Sequence, residues 1–132
     1  MTCFLSVVMM LGACTNGLQE PKASYDDFEH IEHWDDLSRV EGEFTIIYYY
    51  SPFCDICINL EDEVSGYLKT LSDSVEIFLI DSGKIYEQGS PDFEYRETVP
   101  ALIIFEDTEF QEWIIGSRNV TDYLQDQINQ MD

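Results

Sequence analysis

The sequence predicts an α/β fold in which a central mixed sheet of four to five strands carries helices on both faces. Three observations lead there. Two β-branched and aromatic runs, residues 43–50 and 75–80, flank a stretch whose apolar residues recur at helical spacing. Two further apolar runs, 101–105 and 109–115, are separated by three polar residues, the pattern of a hairpin. A final stretch after residue 119 is amphipathic again. Strand, helix, strand in that order pairs the first two strands in parallel through a crossover helix. The hairpin then adds two antiparallel strands, and the last helix packs back onto the sheet.

Composition supports one folded domain. The 132 residues are 45% hydrophobic and 14% aromatic, enough to bury a core despite 27 acidic residues against 6 basic ones. One core typically serves roughly 100–150 residues. The formal charge of −21 excludes nucleic-acid binding, which depends on Lys and Arg displacing counterions from phosphate. It also excludes docking on anionic lipid through charge.

The first residues read as a processing segment. Residues 3–13 form an uncharged apolar run with the length of a signal-peptide core, below the ~20 residues a spanning helix needs. The run ends in Leu11-Gly12-Ala13-Cys14, which resembles the lipobox of bacterial lipoproteins. That resemblance implies cleavage after residue 13 and a diacylglycerol on Cys14. No Lys or Arg precedes the run, a departure from the usual basic leader. An ordinary hydrophobic strand or helix with an incidental Cys is the alternative. Residues 14–24 lack periodicity and read as a tether. Residues 25–132 are expected to form the domain.

Within that domain, residues 28–32 are ambiguous between strand and helix. Residues 33–40 place Trp34 and Leu37 at i, i+3, as in a short helix. Residues 43–50 (Glu-Phe-Thr-Ile-Ile-Tyr-Tyr-Tyr) read as a buried strand, ended by Ser51-Pro52. From Cys54 a helix is expected, with Cys57, Leu60, Val64, Tyr67, Leu68 and Leu71 facing the core. Glu61, Asp62 and Glu63 take its solvated face. Residues 75–80 form the second strand, closed by Asp81-Ser82-Gly83, and 82–98 a loop that has room for a helical turn. Residues 101–105 and 109–115 form the hairpin around Glu106-Asp107-Thr108. Asn119 is the expected cap of a last helix with Val120, Tyr123, Leu124, Gln127 and Ile128 on one face.

A Cys-x-x-Cys motif, Cys54-Asp55-Ile56-Cys57, directly follows the first strand. Strand 75–80 ends in Asp81, Thr98-Val99-Pro100 precedes the third strand, and Gly116 separates the last strand from the last helix. In this order the features resemble thioredoxin-fold proteins over residues ~28–130. Tyr48-Tyr49-Tyr50-Ser51-Pro52-Phe53-Cys54 is also similar to extracytoplasmic thioredoxin-like proteins of Gram-positive bacteria, among them bacteriocin-transport accessory proteins. The resemblance implies a membrane-tethered, extracytoplasmic thiol–disulfide oxidoreductase acting on protein thiols and disulfides. It implies no cofactor beyond the Cys54–Cys57 disulfide, no metal, and a monomer. It also implies a cis peptide bond at Pro100, with the Val99 backbone beside Cys54 to pair with an extended substrate. Thioredoxins usually carry Trp before the first Cys; here Phe53 keeps a flat apolar cover. They also carry a buried Asp six residues before that Cys, near a buried Lys. Tyr48 and Ile77 stand at those positions, so the acid that would deprotonate the resolving thiol is missing.

The chemistry of the motif follows from its place. Exchange needs a thiolate attacker and a second thiol to resolve the mixed disulfide. A helix N-terminus supplies free N–H groups and partial positive charge, which favour a thiolate at Cys54. Cys57, one turn deeper on the apolar stripe, is the expected resolving thiol. Asp55 tunes the pair, since its negative charge opposes a neighbouring thiolate. A Cys₂His₂ zinc site from His30, His33, Cys54 and Cys57 is the less economical reading, with two solvated histidines as the plainer account. The aromatic group Tyr48, Tyr49, Tyr50, Phe53 and Phe105 reads as core. The competing functional class is a non-catalytic thioredoxin-like accessory or binding module whose disulfide is only structural.

Overall fold

The computed structural model describes residues 22–85, 91, 93 and 98–131. The expected leader, Cys14 and most of the expected tether lie outside the described residues, as does much of the expected 82–98 loop. Four strands form one sheet: β1 (Phe44–Tyr50), β2 (Glu76–Asp81), β3 (Ala101–Glu106) and β4 (Glu109–Ile115). Their spatial order is β2-β1-β3-β4. β1 pairs with β2 in parallel, from Thr45↔Glu76 to Tyr50↔Asp81, and with β3 antiparallel. β3 and β4 form the hairpin.

The ambiguous segment at 28–32 is extended. Leu79 donates its N–H to Glu29 O at 2.9 Å and accepts from Ile31 N–H at 2.8 Å, so one parallel bridge, His30↔Leu79, occupies the outer edge of β2. Its single-bridge length explains why no strand pattern was legible there. Among the described residues the sheet is therefore four-stranded with a rudimentary fifth edge.

Because β1 is central, both of its faces are covered and it shows no polar alternation. Ile46, Tyr48 and Tyr50 join Leu79, Leu102 and Ile104 on one face, under Val64, Leu68, Leu71, Val120 and Leu124. These last five come from α2 (Glu61–Leu71) and α4 (Ser117–Asn129). Ile47 and Tyr49 join Phe78, Ile80, Ile103 and Phe105 on the other face, under Ile31, Trp34 and Ile85. There the cover is the 3₁₀ helix Trp34–Arg39 and the one-turn α3 (Ser82–Ile85). A 3₁₀ geometry suits Trp34 and Leu37, since i and i+3 eclipse in it. Arg39 stacks over Phe78 at 5.3 Å and pairs with Glu29.

Three local expectations are corrected. The helix expected from Cys54 is two, α1 (Asp55–Asn59) and α2, meeting at Leu60 with φ −89° and ψ −4°. The Cys57 carbonyl, which a straight helix offers to residue 61, accepts the Tyr25 hydroxyl at 2.6 Å. A side chain entering the ladder is a common cause of such a break. Asn119 does not cap α4; Gly116 does, at φ +101°, and Asn119 Nδ2 donates back to Ile115 O at 2.9 Å. The hairpin turn is two residues, Asp107 (φ 52°) and Thr108 (φ 69°), because Glu106 and Glu109 pair directly. Two positive φ values match the twist of paired strands, though without the usual glycine. Among the described residues no helix is long and apolar enough to cross a membrane.

Candidate functional site

β1 delivers the chain to the carboxyl end of the sheet, where Ser51-Pro52-Phe53 turns it into α1. Cys54 N–H donates to Ser51 O at 3.2 Å and Phe53 N–H to Ser51 Oγ at 3.1 Å. Cys54 is the N-cap of α1, with extended backbone (φ −93°, ψ 117°), and its Sγ accepts the Cys57 N–H at 3.1 Å. Sulfur thus takes the role that a Ser or Asp oxygen commonly fills, satisfying a free donor of the first turn. The same donor favours negative charge on that sulfur.

The two thiols differ in exposure. Cys54 is half-buried, whereas Cys57 is fully buried among Val64, Leu68, Tyr48 and Tyr25. Burial, then its hydrogen bond with Cys54, pushes the Cys57 thiol up to about 12. A buried thiol keeps its proton because a thiolate would lose its solvation.

Beneath Cys57 lies a tyrosine cluster. Tyr25 donates to the Cys57 carbonyl, so its oxygen accepts the Tyr48 hydroxyl, 3.0 Å away. The rings of Tyr25 and Tyr50 lie 4.6 Å apart, and those of Tyr48 and Tyr50 stack at 5.7 Å. Burial, foremost, pushes all three phenols far above their usual range. Tyr48 stands where the resemblance placed a buried Asp, and its hydroxyl is a donor to Tyr25. Tyr50 OH lies 2.8 Å from His30 Nε2, while His30 Nδ1 lies 2.9 Å from Phe28 O. A carbonyl only accepts, so a neutral ring carries its proton on Nδ1 and Nε2 accepts from Tyr50.

The predicted site residues fall as follows. Cys54 and Cys57 share the first turn of α1. The Val99–Pro100 peptide bond is cis; Pro100 is buried, and Val99 and Cys54 both border the cluster that contains Cys57. Asp55 is exposed in the first turn of α1. Phe53 is corrected: it is 88% exposed and not core, because it sits in the turn ahead of the helix. His30 is corrected as well, being half-buried and bonded on both nitrogens, while His33 is exposed. Among the described residues no group of three or more His, Cys, Asp or Glu is placed to hold a metal ion.

Tyr25 and its anchoring segment were missed by sequence reasoning. Ser24 caps the turn Tyr25–Asp27 reciprocally with Asp27, and Tyr25 N–H donates to Glu61 Oε2 at 3.0 Å. Ser65 Oγ donates to Ala23 O, and Lys22 pairs with Asp62 at 3.3 Å. Residues 22–25 are thus docked on α2, and the acidic start of α2 is their receptor. The Ser24-x-x-Asp27 pattern of a capping box was the available signal.

No protein-family model matches the chain, and no curated protein matches it in sequence. Solved structures do match in fold. Thioredoxin from Malassezia sympodialis is similar with a TM-score of 0.63 and 18% identity, over 85% of this chain and 94% of that one. Mitochondrial thioredoxin 3 from Saccharomyces cerevisiae, in its oxidized form, is similar with a TM-score of 0.63 and 14% identity, over 83% of this chain and all of that one. Thioredoxin from Plasmodium falciparum is similar with a TM-score of 0.62 and 11% identity, over 79% of this chain and 99% of that one. The fold is thioredoxin-like.

Proposed function

We propose that the chain is a thiol–disulfide oxidoreductase in which Cys54 is the nucleophile and Cys57 the resolving thiol. One observation carries the reading: Cys54 Sγ sits accessible at the cap of α1, accepting the Cys57 N–H, with the Cys57 thiol buried one position short of a turn away. In the reducing direction the Cys54 thiolate attacks a substrate disulfide, forming a mixed disulfide and releasing one substrate thiolate. Cys57 then gives up its proton and attacks Cys54 Sγ. The second substrate thiolate leaves, takes up a proton, and the Cys54–Cys57 disulfide remains. Run backwards, the same steps oxidise a substrate dithiol. The backbone at Val99 offers an extended substrate a strand-like partner, Phe53 an apolar contact, and Asp55 a charge beside the nucleophile.

The test is trapping with 2-hydroxyethyl disulfide. Reduced Cys57→Ser should accumulate a mixed disulfide at Cys54, whereas Cys54→Ser should accumulate none. Trapping at Cys57, or at neither position, would overturn the roles.

We further propose that the domain is tethered outside the cytoplasm through lipid on Cys14, an idea supported by Leu11-Gly12-Ala13-Cys14 and the apolar run before it. Two acyl chains anchor stably at ~0.8 kcal/mol per buried methylene. Fatty-acid labelling should mark the wild type and not Cys14→Ser; equal labelling of both ends the idea.

A further inference from the structure

α1 is five residues long and shows the core only Cys57. Its flanks are apolar and open: Ile56 and Ile58, on either side of Cys57, are each 51% exposed, and Phe53 is exposed in the turn ahead of them. Apolar side chains this exposed around a nucleophile mark a contact surface. The surroundings are acidic. Two adjoining clefts of about 290 and 200 Å³ share Asp26, Tyr50 and Pro52. Glu32 and Asp81 complete the carboxylates of the larger cleft and Glu61 those of the smaller, while Lys84 and the His30 imidazole are the basic groups among the described lining. Asp55 is exposed in the first turn of α1. After burial, the charges of Asp81, Asp26 and Glu61 are what push up the Tyr50 hydroxyl, which lines both clefts with Pro52. Asp81 is held in place by the Gly83 N–H, at 2.9 Å, and Glu61 by that of Tyr25.

We propose that this face receives cationic disulfide-bearing polypeptides, an apolar side chain resting on Phe53 and Ile56 while Lys or Arg residues enter the carboxylate clefts beside Pro52. The inference rests on the exchange reading above and names its substrate class. Charge complementarity decides the occupant: beside Pro52, two positions before the nucleophile, an acidic partner meets four carboxylates of like charge and a basic one meets four of opposite charge. Focusing of this kind raises encounter rates by roughly 10–10³ and is lost as salt rises.

The probes are three small disulfides: cationic cystamine, neutral 2-hydroxyethyl disulfide and anionic 3,3′-dithiodipropionate. Each is reacted with the reduced full chain at 10 mM and 1 M salt. Every rate is divided by that of 2-mercaptoethanol with the same disulfide, which removes intrinsic reactivity. At low salt the normalised rate should favour the cation over the anion by about tenfold or more, and the preference should fall towards unity as the Debye length drops from ~30 to ~3 Å. Asp26→Asn/Glu61→Gln/Asp81→Asn, checked for folding by circular dichroism, should lose most of the preference. Glu43→Gln/Glu106→Gln/Glu109→Gln, at the opposite end of the sheet, should keep it. Equal loss in both triple variants would assign the preference to net charge and overturn the site, and Asp81→Asn alone decides if the cleft variant does not fold. Absence of any preference overturns the inference while leaving exchange intact. Failure to react even with the neutral disulfide is the separate failure of the exchange reading.

Discussion

Replacing Tyr25 by Phe removes one oxygen and leaves the ring contacts to Tyr48 and Tyr50 in place. In the native chain the Tyr25 hydroxyl donates to Cys57 O at 2.6 Å and accepts from Tyr48 at 3.0 Å, in a site where Tyr25 and Tyr48 are buried. The variant leaves the Tyr48 proton without its acceptor and the Cys57 carbonyl without its side-chain donor. Each buried polar group left unsatisfied costs ~1–3 kcal/mol. A loss of about 2–4 kcal/mol is expected, and Tm should fall by roughly 4–8 °C for each kcal/mol in a domain of this size. Tyr48→Phe, which leaves Tyr25 bonded to Cys57, should cost only about 1 kcal/mol. The double variant should cost less than the sum, with a coupling of about 1–2 kcal/mol, since it removes both partners of one bond. Urea unfolding of the reduced proteins, followed by far-ultraviolet circular dichroism, measures all three. A Tyr25→Phe variant within 0.5 kcal/mol of wild type, or strictly additive variants, would refute the reasoning.

Brief alkylation of the reduced protein at pH 8 should label Cys54 at least tenfold faster than Cys57, whose thiol near 12 is ionised in only about one molecule in 10⁴; peptide mass mapping reads the ratio, and preference for Cys57 would reverse the roles. Glu76 Oε1 accepts from Glu41 N–H, Gly42 N–H and Thr45 Oγ1 at 2.8–3.0 Å, and these bonds outweigh burial to hold its carboxyl below the usual range. A depressed carboxyl stabilises the fold above its unfolded pKa of about 4.3 and loses that contribution as pH falls through the folded value. Glu76→Gln should therefore cost about 1 kcal/mol at pH 7, and urea titrations should show the difference shrinking below pH 4. Thr108→Gly should stabilise by about 1 kcal/mol, because a β-branched residue at φ 69° is strained and glycine is not; a lower Tm would contradict it.

What was legible in the sequence was what local pattern dictates. β1 announced itself as seven consecutive β-branched and aromatic residues, because a central strand is covered on both faces. Cys57 and Val64 were placed correctly by spacing, since a short break at Leu60 hardly rotates the apolar stripe. Phe53 was misread as core because hydrophobicity does not say on which side of a turn a ring falls. Asn119 was misread as a cap because residue type favours it, whereas Gly116 already turns the chain and bonds back to Pro100. Tyr25 was missed, and His30 misread as a solvated side chain, for a different reason. Each acts through partners 20 or more residues away, Cys57, Tyr48 and Tyr50, and such pairings leave no trace in local periodicity.

Exchange at Cys54 and Cys57 is tested most directly by the reduction potential of the pair, taken from equilibrium with glutathione buffers by quantifying oxidised and reduced protein by mass. A pair built for exchange is predicted to fall between about −120 and −270 mV. A potential below roughly −300 mV would contradict the account, and would make the bond a structural disulfide in a non-catalytic accessory module.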